Sequence, residues 1–201
     1  PSMSRSARPP HAKLQTQDES IKQKVTLLHS DMLDWKVEEK EFGAVFLPYH
    51  LFFHILTQSE IIRLLRTLYV HLPSKAIVCL DVFFPDPEYL AKGCGDLPSP
   101  LVHIADTYDP AQETTYKVWR QHHYHPVSQI LNETFRYELI DKGYNVLRTW
   151  YRQLIYRLAS PVEIELYFQL TGWKTVEISR AFDGEKQLTA KDEYIVLAEK
   201  P

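Results

Sequence analysis

Residues 41–90 read EFGAVFLPYHLFFHILTQSEIIRLLRTLYVHLPSKAIVCLDVFFPDPEYL. The apolar run from Phe42 to Pro48 is too short for a buried helix and predicts a strand covered on both faces. Thr57-Gln58-Ser59-Glu60 is a capping box, in which the Thr57 oxygen can take the amide of Glu60 while the Glu60 carboxylate reaches back. The helix that follows puts Ile61, Leu65, Leu68 and Leu72 on one stripe, with Arg63, Arg66 and Thr67 largely off it. Pro73 ends that helix. Lys75 to Phe83 is a second apolar strand, finishing on Asp81, Phe83 and Phe84. Strand, helix, strand in about forty residues is a crossover unit with parallel strands. Ligands of such sheets sit beyond the carboxyl ends of the strands. Those ends carry Tyr49, His50 and His54 on one side and Asp81, Phe83 and Pro85 on the other.

The 201 residues fit one domain with a sizeable core. A hydrophobic content of 44% and a charged content of 24% are those of an ordinary soluble globular chain. The net charge of −3 supplies no basic field, so neither nucleic acid nor an anionic membrane is an expected partner. No apolar run approaches the ~18 residues of a membrane span. Pro1 to Pro10 is polar and Pro-rich and does not read as a secretory signal. Two cysteines, Cys79 inside a strand and Cys94 in a Gly-flanked loop, make no disulfide framework. A cytoplasmic setting is expected.

Outward from the crossover, residues 1–24 read as a lead-in without a sustained period. Val25 to Leu28 predicts a strand that ends in His29-Ser30-Asp31-Met32. Beyond Pro98 the pattern becomes alternating. Thr115 to His123, Ile130 to Ile140 and Tyr144 to Leu158 predict three antiparallel strands, the last two joined at Asp141-Lys142-Gly143-Tyr144. In the middle strand Leu131, Phe135, Tyr137 and Leu139 share one face and Asn132, Thr134, Arg136 and Glu138 the other. That is a half-buried meander lying outside a doubly covered sheet. His123 and His125 would share a face, but no third metal ligand stands at a convincing spacing, and no metal site is expected. Ser160-Pro161-Val162-Glu163 is a second capping box with Pro at the first helical position. Its helix ends at Gly172, where a left-handed residue is expected. Lys174–Ser179 and Tyr194–Leu197 predict a closing hairpin around Phe182-Asp183-Gly184.

FGAVFLPYHLFFHIL, a helix ending in HLP, and IVCLDVFFPDPEYL together resemble the middle of a class I S-adenosylmethionine-dependent methyltransferase of the small-molecule type. The resemblance extends over residues 25–201. It implies an α/β fold: a Rossmann-like methyltransferase core at 25–100, an antiparallel β insertion at 101–158 that walls the acceptor pocket, and a C-terminal helix and hairpin of the core at 159–201. It implies S-adenosylmethionine as cofactor, with Asp31 and Met32 beside the adenine and Leu47, Pro48 and Tyr49 near the methionine portion. Ser2-Met3-Ser4-Arg5-Ser6-Ala7-Arg8 resembles a worn form of the helix that precedes the family's third strand. The family's Gly-rich turn and its acidic second-strand end have no counterpart here. The six glycines stand at 43, 93, 95, 143, 172 and 184, none upstream of the third strand. Gly93-Cys94-Gly95 follows the fifth strand and precedes no helix pattern. The expected sheet is therefore incomplete at its first strands, and the chain is expected to be a C-terminal portion of the enzyme, with either a missing N-terminal segment or a second copy as partner.

Methyl transfer from a sulfonium is an in-line displacement, so alignment supplies much of the acceleration. Where the small-molecule acceptor carries a proton at working pH, a base is needed, and His54 and His50 are the candidate catalytic residues. Aromatic faces near Tyr49, Phe52 and Phe53 attract a sulfonium, although plain core is the simpler role for the two phenylalanines and for a helix-start His54. Arg120, Tyr124, Tyr156 and Arg157 are candidate acceptor-binding residues. Two other readings stay open: a non-catalytic methyltransferase-like binding or regulatory subunit, and a small α/β binding protein sharing only the architecture.

Overall fold

The computed structural model describes residues 18–34, 42–180 and 193–201. The expected helix remnant at Ser2–Arg8 and the turn at Phe182–Gly184 lie outside these residues. The chain divides into two units, Pro1–Lys36 and Val37–Pro201.

In the first unit, one helical turn, α1 (Glu19–Lys22), precedes a segment without ladder partners. Val25–Leu28, expected as a strand, has none, with Leu28 65% exposed. A strand exists by pairing, and no described neighbour supplies that pairing. Asp31 opens a turn, its Oδ1 accepting the Leu33 amide at 2.8 Å and its carbonyl the Asp34 amide at 3.1 Å.

The second unit contains the crossover. β1 (Ala44–Leu47) runs parallel to β2 (Ile77–Phe83), in register from Ala44 opposite Ile77 to Leu47 opposite Leu80. Between them lie a 3-10 turn, Leu51–His54, and α2 (Gln58–His71). The capping box forms: Thr57 Oγ1 accepts the Glu60 amide at 3.2 Å and donates to the Glu60 carboxylate at 2.6 Å. Ile61, Leu65, Leu68 and Leu72 are all buried, as their spacing requires. β8 (Glu193–Glu199) pairs antiparallel with β2 and with β7 (Lys174–Arg180), giving the order β1-β2-β8-β7. Before β7, α4 (Pro161–Leu170) is capped by Ser160 Oγ, which accepts the Glu163 amide, and ends at Gly172 with φ +90°. Trp173 then donates its indole N–H to the Leu65 carbonyl at 3.0 Å, pinning this end of the hairpin to α2.

β1 is not covered on both faces as expected. Phe46 is 70% exposed and only Leu47 is buried, because β1 is the sheet's terminal strand among the described residues. β2, with neighbours on both sides, buries Val78, Leu80 and Val82.

The segment expected as an insertion forms a separate four-stranded antiparallel sheet, β3 (Val102–Asp109), β4 (Thr114–His125), β5 (Ile130–Ile140) and β6 (Val146–Arg157), in sequential order. β3 was not expected. Seven of its eight residues are exposed, so no core face imposes alternation on its sequence. The face of β5 expected to be apolar is buried at Leu131 but not along its length. Glu133 and Glu138 are 8% and 6% exposed, whereas Phe135, Tyr137 and Leu139 are only half-buried. Both carboxylates have partners: Tyr89 for Glu133, Trp119 and Arg136 for Glu138. Such pairing is what permits their burial. This second sheet is tied to the segment after β2 where the Tyr124 amide donates to the Gly93 carbonyl at 2.9 Å. No helix among the described residues is long and apolar enough to cross a membrane.

Candidate functional site

The carboxyl ends of β1 and β2 open into a cleft of ≈ 510 Å³. Its floor is the run from Phe83 to Asp86 that leaves β2. The first turn of α3 (Pro87–Lys92) brings in Tyr89, the meander contributes Arg120, Glu133 and Tyr156, and His50 and Glu193 close the remaining side. α3 is placed by Asp86, whose Oδ1 accepts the Glu88 amide, and by Pro87 at the first helical position.

After β1 the chain turns through two consecutive non-glycine residues in the left-handed region, Tyr49 at φ 55° and His50 at φ 59°. Each is sterically disfavoured there. The Tyr49 amide donates to Asp81 Oδ2 at 3.0 Å, which ties this turn to β2. His50 Nδ1 then lies 3.6 Å from Asp81 Oδ1, and its Nε2 lies 3.9 Å from Glu193 Oε1. Its ring meets the edge of Phe83 at 4.6 Å.

His54 is exposed and does not line the cleft. Its Nδ1 donates to the Ile155 carbonyl at 3.1 Å, and its ring stands 4.8 Å from that of Tyr156. Tyr156 in turn touches Phe83 edge-on at 5.7 Å. Burial, with the nearby Glu133 charge, pushes the Tyr156 phenol up.

Across the cleft the Arg120 guanidinium lies 4.6 Å from the Tyr89 ring centre and 3.7 Å from Glu133. The Tyr89 hydroxyl donates to Glu133 at 2.5 Å. Burial first, then this bond and the Glu133 charge, hold the Tyr89 phenol well above its ordinary range. Beneath it, the buried His122 stacks on Tyr89 at 3.8 Å. His122 Nε2 donates to the Tyr89 carbonyl at 2.7 Å, and its Nδ1 accepts from Ser99 Oγ at 3.0 Å. Burial lowers the His122 pKa.

The structure thus brings together His50, Arg120 and Tyr156 among the sequence-derived candidates. Leu47, Pro48 and Tyr49 occupy the end of β1 beside them, Leu47 buried and Tyr49 88% exposed. Arg157 points elsewhere, donating to the Ser128 carbonyl and Gln129 and pairing with Glu163 at 3.3 Å. Tyr124 is held through its amide and does not line the cleft. Asp31 and Met32 belong to the first unit. The rings of His123 and His125 stand 4.2 Å apart, with His123 Nε2 donating to the Gly95 carbonyl. Among the described residues no group of three His, Cys, Asp or Glu could hold a metal ion.

Asp81 was expected at the ligand-facing end of β2 and stands there, against the turn after β1, whereas Tyr89, Glu133 and Glu193 were not singled out as site residues. For Tyr89, Asp86-Pro87-Glu88 is a readable helix start. Glu133 carried no such signal, since alternation alone cannot show which end of a strand faces a cleft.

No protein-family model and no curated protein matches the chain. Solved structures do. The CcbJ methyltransferase from Streptomyces caelestis superposes with a TM-score of 0.63 at 17% identity, over 86% of this chain and 66% of its own. An S-adenosylmethionine-dependent methyltransferase from Clostridium acetobutylicum gives 0.65 at 12% identity, over 89% and 67%. CalS10 from Micromonospora echinaspora, an amino pentose methyltransferase of calicheamicin biosynthesis solved with its cofactor bound, gives 0.61 at 13%, over 86% and 63%. The chain has the α/β fold of class I methyltransferases and spans about two thirds of the length of these proteins.

Proposed function

We propose that this chain is the C-terminal portion of an S-adenosylmethionine-dependent methyltransferase and forms the acceptor side of its active site, binding a small-molecule amine. The observation that carries this reading is the cleft at the carboxyl ends of β1 and β2, where a titratable imidazole, a guanidinium and three carboxylates converge. The exposed Phe46 and the outer edge of β1 support further strands beside it in the whole protein.

The cofactor fits the described residues in part. Leu47, Pro48 and Tyr49, at the end of β1, would hold its methionine portion. Bound there, it would supply a methyl group on a sulfonium. An amine acceptor is favoured by the charge of the cleft's described lining, which holds three carboxylates, Asp86, Glu133 and Glu193, and one guanidinium, Arg120. The rings of Phe83, Tyr89 and Tyr156 suit a cation as well. Arg120 and Tyr156 orient the acceptor. His50 takes the proton that an ammonium must lose before its nitrogen can attack. His54, whose ring stands against Tyr156, sets the position of that ring and is the second candidate base. The neighbour CalS10, by its name, acts on an amino pentose.

The test uses the protein that carries this chain in its complete reading frame. Incubated with methyl-labelled S-adenosylmethionine, it should label amino sugars and leave their hydroxyl counterparts unlabelled. Label on the hydroxyl compounds alone would overturn the amine assignment, and no transfer to any small acceptor would overturn the enzyme reading.

A further inference from the structure

The turn after β1 spends two disfavoured left-handed residues, Tyr49 and His50, to present one side chain to the cleft. Strain of this kind costs of order 1–3 kcal/mol per residue and persists where the surroundings over-determine it. Here Asp81 does so. One oxygen accepts the Tyr49 amide at 3.0 Å, and the other faces His50 Nδ1 at 3.6 Å. That nitrogen is shielded from solvent and has no hydrogen-bond partner. A carboxylate can only accept, so the group it faces is best satisfied as an N–H.

We infer that Asp81 is a positioning residue that holds His50 as its Nδ1–H tautomer and leaves the Nε2 lone pair directed to the cleft. The inference rests on the acceptor-site reading above and adds the group that prepares the base. Before transfer, a bond from the acceptor nitrogen to hydrogen breaks and the proton goes to His50 Nε2. The nitrogen pair so released forms the bond to the methyl of a sulfonium donor, and the pair of the breaking carbon–sulfur bond stays on sulfur. Glu193, 3.9 Å from Nε2 and at the open side of the cleft, then receives the proton from the imidazolium and passes it to solvent. Among the described residues the charged groups facing His50 are Asp81 on β2 and Glu193 on β8. Asp86, Tyr89, Arg120, Glu133 and Tyr156 line the same cleft.

The tautomer can be read on the 201-residue chain with neither donor nor acceptor present. Long-range proton–nitrogen correlation on 15N-histidine-labelled chain, at about pH 9 where an ordinary imidazole is neutral, should show His50 mainly as Nδ1–H. In Asp81→Asn the Tyr49 amide holds the carboxamide oxygen and turns its NH2 toward Nδ1, so the tautomer should invert to mainly Nε2–H. Glu193→Gln should leave it as Nδ1–H. A wild-type His50 found mainly as Nε2–H would overturn the inference, even if Asp81→Asn fails to fold. An unchanged tautomer in a folded Asp81→Asn chain would do the same. Failure of methyl transfer in the complete protein overturns the enzyme reading without touching this result. In that complete protein, Asp81→Asn should lower kcat at least tenfold and shift its pH profile, with KM for the acceptor changed less than threefold.

Discussion

The Tyr89 hydroxyl donates a 2.5 Å hydrogen bond to Glu133, linking the helix that follows β2 to the middle strand of the meander. Glu133 is 8% exposed, and its other charged neighbour, Arg120, stands at 3.7 Å. The Tyr89 phenol is thus the group that donates a direct hydrogen bond to this carboxylate, with Arg120 farther off.

Tyr89→Phe should leave a nearly buried carboxylate short of a donor and cost about 1–3 kcal/mol. Urea unfolding is the check. Its pH dependence gives a second. The Tyr89 pKa is raised in the folded chain, so the folded state keeps a proton that the unfolded state loses. Stability is thus full below about pH 10 and falls above it. Tyr124, Tyr156 and Tyr167 are raised in the same sense, so the alkaline loss should shrink in Tyr89→Phe but not vanish.

His122 works in the opposite direction. Burial lowers its pKa, so the unfolded chain binds the proton more readily. Stability present above about pH 6.5 should fall as pH drops through and below that value. Replacing His122 by Gln should flatten this acid limb in a thermal melt taken at several pH values. An unchanged limb would assign it to other groups.

A half-buried lysine closes the helix of the crossover. Lys200 Nζ donates to the Tyr69 and Leu72 carbonyls at 2.7 Å each and lies 4.7 Å from the Tyr69 ring centre. These carbonyls carry the negative end of the helix dipole. Lys200→Met should keep most of the stem's packing, lose the charge, and cost about 1–2 kcal/mol in chemical denaturation.

His54 donates to the Ile155 carbonyl and faces Tyr156, so it bears on the acceptor wall. In the complete protein, His54→Ala should lower turnover about tenfold or more while leaving cofactor affinity nearly unchanged. Turnover equal to wild type would reduce His54 to a packing residue.

The crossover was legible because two independent signals agreed. The apolar runs gave the strands, and Thr57-Gln58-Ser59-Glu60 gave the helix start that the structure forms. Ser160 and Gly172 marked the last helix in the same way. What failed was burial at edges. Phe46 looks like a core residue in sequence, yet its exposure depends on whether a strand lies beyond β1. β3 was missed for the converse reason, being a strand without a buried face. In the site, His50, Arg120 and Tyr156 carried a chemical signal. Asp81 was legible as a strand end, but its partner Tyr49, 32 residues away, was not, and neither was the pairing of Glu133 with Tyr89 across 44 residues, which no local pattern records.

The proposal that this chain supplies the acceptor side, and that the donor's pocket needs strands beside β1, is tested most directly by titrating the 201-residue chain with S-adenosylmethionine in a calorimeter. The Gly-rich turn and the acidic strand end that would hold the cofactor's carboxylate and ribose have no counterpart in this sequence. Without those two or three charge-assisted hydrogen bonds, at roughly 1.5–3 kcal/mol each, affinity should fall by several orders of magnitude. The expected result is no measurable heat at micromolar cofactor. Micromolar affinity from a monomer would contradict it and show that this chain builds its donor site by itself.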